Sequence, residues 1–154
     1  MEYYKSYYLK EFNIVEKEYV EKGKGGIRSF YVDSLGIYIG EYVNSDNKII
    51  DVIYYSRSCT AEIQDYHNNE YDLDTLMVIC EELQSGVKLC TYNKGVILGY
   101  SIILYNEAGQ ESIFQTFDID FKLVEYRELC SNSLGDLVLQ KIFFANSWVI
   151  HEED

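Results

Sequence analysis

Apolar and polar positions alternate with a period of two over much of this chain, and that alternation predicts strands. Across residues 35–43, Leu35, Ile37 and Ile39 fall on one side of an extended backbone and Tyr38 and Tyr42 on the other. Residues 27–33 and 48–56 carry similar β-branched and aromatic runs. Asn44-Ser45-Asp46-Asn47 supplies the turn chemistry that would fold 35–43 back on 48–56 as a hairpin. Strand signals resume at 87–93, 95–105 and 111–129, the last in one or two pieces. Asn93-Lys94-Gly95 and Asn106-Glu107-Ala108-Gly109 are the expected hairpin turns. Residues 7–20 alternate more roughly and predict one or two strands, with a short helix over 11–20 as the competing reading. The EKGKGG stretch at 21–26 predicts a tight turn or a loose loop.

Helical spacing shows in two places. Leu73, Leu76, Met77, Cys80 and Leu83 recur every three or four positions, with Asp72 or Asp74 able to cap the first turn and Gly86 where a C-terminal glycine belongs. Leu134, Leu137, Val138, Lys141, Ile142 and Ala145 would line one side of a second helix over 133–146 capped by Ser133, although Phe143, Phe144 and Trp148 also suit a strand. Residues 57–71 are polar and irregular and predict a loop. The elements add up to an α+β fold: a mostly antiparallel sheet of about six strands with one or two helices packed on one face. Regular βαβ alternation is missing, which argues against a doubly wound parallel sheet. A length of 154 residues fits a single domain over 1–154.

Composition narrows the class. Hydrophobic residues make up 47% of the chain, too many for a wholly disordered one. The 16 tyrosines and the absence of proline stand out, and the richness in Tyr, Asn, Ile and Lys matches AT-rich codons of a bacterial or phage genome. The first ten residues are polar and aromatic, unlike a secretory leader. The longest apolar stretch, 96–105, is interrupted by Ser101 and is half the roughly twenty residues that a membrane span needs. Both observations lead to the expectation of a cytoplasmic protein with no membrane contact. In that compartment Cys59, Cys80, Cys90 and Cys130 are expected as thiols.

Charge changes the picture most. The net charge is −13, so nucleic acid and anionic lipid would be repelled and a cationic protein attracted. The acids are clustered. No Lys or Arg stands between Arg57 and Lys88, while Glu62, Asp65, Glu70, Asp72, Asp74, Glu81 and Glu82 do; a second stretch without cations runs from Lys94 to Lys122. A sequence shaped only for stability would intersperse lysines. In segment 57–74, RSCTAEIQDYHNNEYDLD, the acids mix with tyrosines, which give contact area at low entropic cost. The candidate partner-binding residues are therefore Glu62, Asp65, Tyr66, His67, Glu70, Tyr71, Asp72 and Asp74, the acids for complementarity and the tyrosines as anchors. The competing reading is a solvated acidic face with the tyrosines holding the segment to the core.

Motifs for catalysis and cofactors are missing. Neither G-x-x-x-x-G-K-[ST] nor G-x-G-x-x-G occurs, nor H-E-x-x-H, nor paired C-x-x-C. With two histidines, a zinc site could draw only on His67 with Cys59, Asp65, Glu70 or Asp72, and an oxygen-ligand site on Asp72 with Asp74 or Asp118 with Asp120, whose carboxylates would point the same way in a strand. A Cys59–His67 pair is the one nucleophilic arrangement to consider. None carries a local signature, so no enzymatic activity, cofactor or metal is expected.

Size, acidity, the lack of proline and the absent catalytic motifs together resemble bacterial immunity proteins of toxin–immunity systems, including those of contact-dependent inhibition. The resemblance implies a heterodimer with a cognate toxin domain, often a basic nuclease, whose active site or substrate surface the protein covers. The alternatives are a small ligand-binding or enzymatic domain with a tyrosine-lined pocket, or a phage-encoded inhibitor of host defence that mimics nucleic acid.

Overall fold

The structure is a computed structural model and describes residues 1–134, 136–144 and 150–153. The strands are β1 (Glu2–Tyr4), β2 (Gly26–Val32), β3 (Ile37–Val43), β4 (Ile49–Tyr55), β5 (Leu76–Leu83), β6 (Gly86–Asn93), β7 (Val96–Tyr105), β8 (Glu111–Phe117), β9 (Leu123–Ser131), β10 (Leu137–Phe144) and β11 (Ile150–Glu153). They form one 11-stranded sheet in which each strand lies beside its neighbours in sequence. All pairings are antiparallel except β4 with β5, which run parallel in register from Asp51 opposite Leu76 to Tyr55 opposite Cys80. A parallel pair needs a crossover rather than a hairpin. Helix Ala61–Glu70 supplies it.

One turn is used four times to build the meander. Asn44 Oδ1 accepts from the backbone N–H groups of Asp46 and Lys48, Asn106 Oδ1 from Ala108 and Gln110, Asp118 Oδ1 from Asp120 and Lys122, and Asn132 Oδ1 from Leu134 and Asp136. The short side chain replaces a backbone turn and clamps the first residue of the loop to the returning strand. The fourth residue turns left-handed, at φ 62° in Asn47, 74° in Gly109 and 62° in Phe121. Asp118 and Asp120 thus sit in a turn, with the Asp120 backbone N–H donating to the Asp118 carboxylate, and not side by side on a strand.

The core has two layers. On one face of the sheet Ile27, Ile53, Val78, Cys80, Val87, Leu89, Ile103 and Tyr105 pack with Tyr4 and Tyr8 of the amino-terminal segment. On the other, Val32, Ile39, Val52, Tyr54, Met77 and Ile79 pack with Ile63 of the helix. β4 and β5 are covered on both sides, so Val52, Ile53 and Tyr54 are all fully buried although they alternate in direction. Cover thins toward the carboxyl end. All seven residues of β8 are half-buried, and across β9 and β10 only Ile142 is buried.

The architecture corrects the expected six-stranded sheet with one or two helices on a face. Of the apolar run read as a helix from 73 to 83, Leu76–Leu83 is strand β5 and Leu73 is exposed in the connection before it; a strand buried on both faces is continuously apolar, and a short run of that kind cannot be told from a helix by spacing. Gly86 opens β6, where a Cβ would lie 2.0 Å from the Ile103 carbonyl oxygen, so its glycine serves close strand approach and not a helix end. Most of the expected helix over 133–146 is β10; Gly135, Ala145 and Asn146 lie outside the described residues. Residues 7–20 are not strands. They form a 3-10 turn at Glu11–Asn13 and a helical turn at Lys17–Tyr19, which widens through Val20–Lys24 before Gly26 enters β2. The polar stretch 57–71, read as a loop, holds the crossover helix.

Candidate functional site

The helix starts where Thr60 Oγ1 accepts from the Ile63 N–H at 3.2 Å, a side-chain cap that frees the chain from the strand. Ile63, Tyr66 and His67 recur at helical spacing and turn toward the sheet. Glu62, Asp65, Asn68 and Asn69 occupy the opposite side and are exposed, as is Glu70 at the last turn. Asp72 and Asp74 continue the exposed acidic surface in the connection to β5.

His67 locks this unit in place. Its ring is buried, with Nε2 2.9 Å from the Thr75 carbonyl oxygen and Nδ1 2.8 Å from the Tyr54 hydroxyl. A carbonyl can only accept, so Nε2 carries the proton and Nδ1 accepts from Tyr54. Burial lowers the pKa of His67, against a smaller opposing effect of the Thr75 carbonyl, and keeps the ring neutral. Burial also pushes the Tyr54 phenol far above its ordinary value, which secures it as the donor. One side chain therefore ties helix, connection and β4 together.

Tyr66 and Tyr71 serve the same purpose. The Tyr66 ring meets Tyr54 edge-on at 6.3 Å. The Tyr71 hydroxyl donates to Glu41 Oε2 at 2.8 Å, and Arg28 Nε holds the other oxygen of that carboxylate at 2.7 Å. Burial and then the Glu41 carboxylate keep Tyr71 protonated. Of the eight residues singled out from sequence, the structure turns Tyr66, His67 and Tyr71 inward as anchors of the helix. It leaves Glu62, Asp65, Glu70, Asp72 and Asp74 exposed on one rigid helix and its connection.

None of those five carboxylates makes an ion pair among the described residues. The amino-terminal cations that do pair go elsewhere, Lys10 to Glu82 at 3.5 Å and Lys17 to Glu21 at 3.6 Å. Glu70 stands at the carboxyl end of the helix, where the helix dipole disfavours an anion by a few tenths of a kcal/mol at an exposed site. Lys94, in the β6–β7 turn, marks the edge of the acidic surface. It lines a depression of about 340 Å³ together with Asn68, Tyr71, Asp72, Leu73 and Tyr92.

Other chemistry weighed from sequence is not assembled. Both nitrogens of His67 are engaged, while Cys59 Sγ faces Gln64 Nε2 at 3.5 Å, so the Cys59–His67 pair does not form. Among the described residues no three His, Cys, Asp or Glu side chains gather closely enough to hold a metal ion. No helix among them is long and apolar enough to cross a membrane. Sequence reading missed the helix that presents the acids. Its signals were Thr60 three residues before Ile63 and the Ile63, Tyr66, His67 spacing, weak because only one aliphatic residue marks the buried side. It also missed Glu41, which no local pattern connects to Tyr71. No protein-family model, curated protein or solved structure matches this chain.

Proposed function

We propose that the protein is a cytoplasmic binding inhibitor of the immunity type, which offers the outer side of its crossover helix to a cationic protein partner such as a toxin domain. The observation that supports this reading is the set of five exposed carboxylates, Glu62, Asp65, Glu70, Asp72 and Asp74, without ion pairs among the described residues, on a helix and its connection to β5 that Tyr66, His67 and Tyr71 pin from the inner side. A rigid presenting element lowers the ordering cost of association, and an uncompensated negative field speeds encounter with a basic surface. A helix standing out from a sheet is convex, a shape suited to entering a basic cleft. The inward tyrosines leave direct contact to the acids, Asn68 and Asn69.

The test pairs the purified protein with the product of the neighbouring gene and measures association by stopped-flow fluorescence. Charge reversal at three positions, Asp65→Lys, Glu70→Lys and Asp72→Lys, is expected to slow association by about tenfold or more at low salt. All three side chains are exposed, so the melting temperature should not fall. An unchanged association rate and affinity in the triple variant would place the interface elsewhere.

A further inference from the structure

Where the crossover helix ends, two tight turns border the depression of about 340 Å³ beside the acidic surface. One is the connection from the helix to β5. Its Tyr71 N–H donates to the His67 carbonyl and its Thr75 N–H to the Asp72 carbonyl, both at 3.1 Å, while His67 Nε2 holds the Thr75 carbonyl oxygen. The other is the β6–β7 hairpin turn, where Lys94 and Gly95, left-handed at φ 51° and 82°, join Asn93 to its partner Val96. Hydrogen-bonded turns fix the rim before anything binds, which lowers the ordering cost of association. The volume lies at the small end of the range for ligand sites.

The lining is aromatic and rich in acceptors. Tyr71 and Tyr92 are half-buried in the wall, and the Tyr71 hydroxyl is already committed to Glu41. Asn68 and Asp72 bring exposed polar side chains that make no hydrogen bond or ion pair among the described residues. Gln64 spends only an N–H, on Cys59, which leaves its amide oxygen open. At the rim Leu73 is 74% exposed, an apolar side chain set between two carboxylates. Lys94 is the one cation among the described residues that line the space. Asp72 offsets it, and Glu70 and Asp74 on either side of the connection leave the surroundings negative.

We propose that this depression receives an arginine side chain of the cationic partner, an inference that rests on the reading of the protein as a binder of such a partner. A guanidinium carries five N–H donors, and the wall offers the Asp72 carboxylate and the Asn68 and Gln64 amide oxygens to accept them. Its flat face stacks on a tyrosine ring, and its methylene stem lies against Leu73. A lysine ammonium is compact and strongly hydrated and gains less from the rings. An anion would meet Asp72 and the neighbouring acids. The exposed Lys94 opposes a cation, but its long stem lets the ammonium stand off in water. Arginine seated in a pocket is a common centre of binding energy in protein interfaces, so the depression supplies the anchor that the outward-facing acids of the helix lack.

The experiment titrates the full chain with acetyl-Gly-Arg-Gly-amide and with its lysine and citrulline counterparts, followed by amide chemical shifts. Saturable shifts at Leu73, Thr75, Tyr92 and Gly95 are expected with the arginine peptide, weaker binding by severalfold with the lysine peptide and none with citrulline, which keeps the shape and loses the charge. Asp72→Asn should weaken arginine binding about threefold and Lys94→Gln should tighten it about twofold, while Glu62→Gln, outside the depression, should change it far less. These three side chains are exposed, so their variants keep the test open even where Tyr92→Leu perturbs folding. A folded Tyr92→Leu should bind arginine and lysine equally. No saturable binding of the arginine peptide at millimolar concentration, equal binding of lysine or citrulline by the native chain, or equal losses in Asp72→Asn and Glu62→Gln would overturn the proposal. The peptides probe the depression without the partner, so such a result together with salt-sensitive association of the partner would strike the arginine site and leave the acidic helix as the interface.

Discussion

His67 shows how one side chain can carry both the stability and the pH response of the region that presents the acids. It bridges Tyr54 and Thr75 with both ring nitrogens, so His67→Gln should destabilise the fold by about 1–3 kcal/mol through the lost bonds and the gap left beside Tyr54. Its effect also has a direction with pH. The unfolded imidazole takes up a proton as pH falls through 6.5, while the folded ring, its pKa lowered by burial, does not. The unfolded state then binds more protons, and stability is lost as pH drops through that window, by at most about 1.4 kcal/mol per pH unit. Asp51 and Glu111 act in the opposite sense, because burial raises their pKa values and folding is favoured once they are protonated. Comparing the native chain with His67→Gln cancels those carboxylates. The stability gap between the two, measured by urea denaturation from pH 7.5 to pH 5, should narrow toward acid; a constant gap would mean that the folded ring titrates like a free one.

At the scale of elements, the fold divides into a double-layered half and a thin one. β4, β5 and β6 lie between the amino-terminal segment and the crossover helix, while β8, β9 and β10 have half-buried or exposed positions almost throughout. Opening free energy follows buried contacts, so native-state hydrogen exchange should be slowest at Val52, Ile53 and Val78 and faster by at least about tenfold across β9. Equal protection in both halves would show that the sheet opens as one unit. The same contrast governs what could be read from the chain. Hairpins around Asn44, Asn93 and Asn106 were legible because turn chemistry is local and visible. β5 was not, since its burial comes from cover on both faces, the amino-terminal segment on one and the crossover helix on the other, which only the tertiary fold supplies. The helix was hidden for the converse reason. It buries aromatic rings and a histidine, and its exposed side is so polar that composition alone suggests a loop. The acids of the candidate site could be named from charge clustering, but that Tyr66, His67 and Tyr71 face inward depends on Tyr54 and Glu41, which only the tertiary fold brings near.

The whole molecule carries a field set by its charge of −13, and that field should act with opposite signs on folding and on binding. In the folded chain the acids of the helix, its connection and the later turns are held closer together than in an extended one, and few have a cation at hand: the ion pairs formed among the described residues involve Glu82, Glu21, Glu41 and Glu125. Self-repulsion of this kind weakens the compact state, and salt relieves it as the screening length falls from about 30 Å at 0.01 M to about 8 Å at 0.15 M. The melting temperature should therefore rise by a few degrees between 0.01 M and 0.3 M NaCl, since each kcal/mol corresponds to about 2–4 °C in a chain of this size. Association with a cationic partner should show the reverse, with its rate constant falling over the same range because the attraction that steers encounter is screened. The charge-reversed triple variant at Asp65, Glu70 and Asp72 should flatten both responses together, as both draw on the same carboxylates. If instead the variant kept the full salt dependence of binding while losing that of stability, the repulsion would reside in the helix and the docking field elsewhere on the molecule.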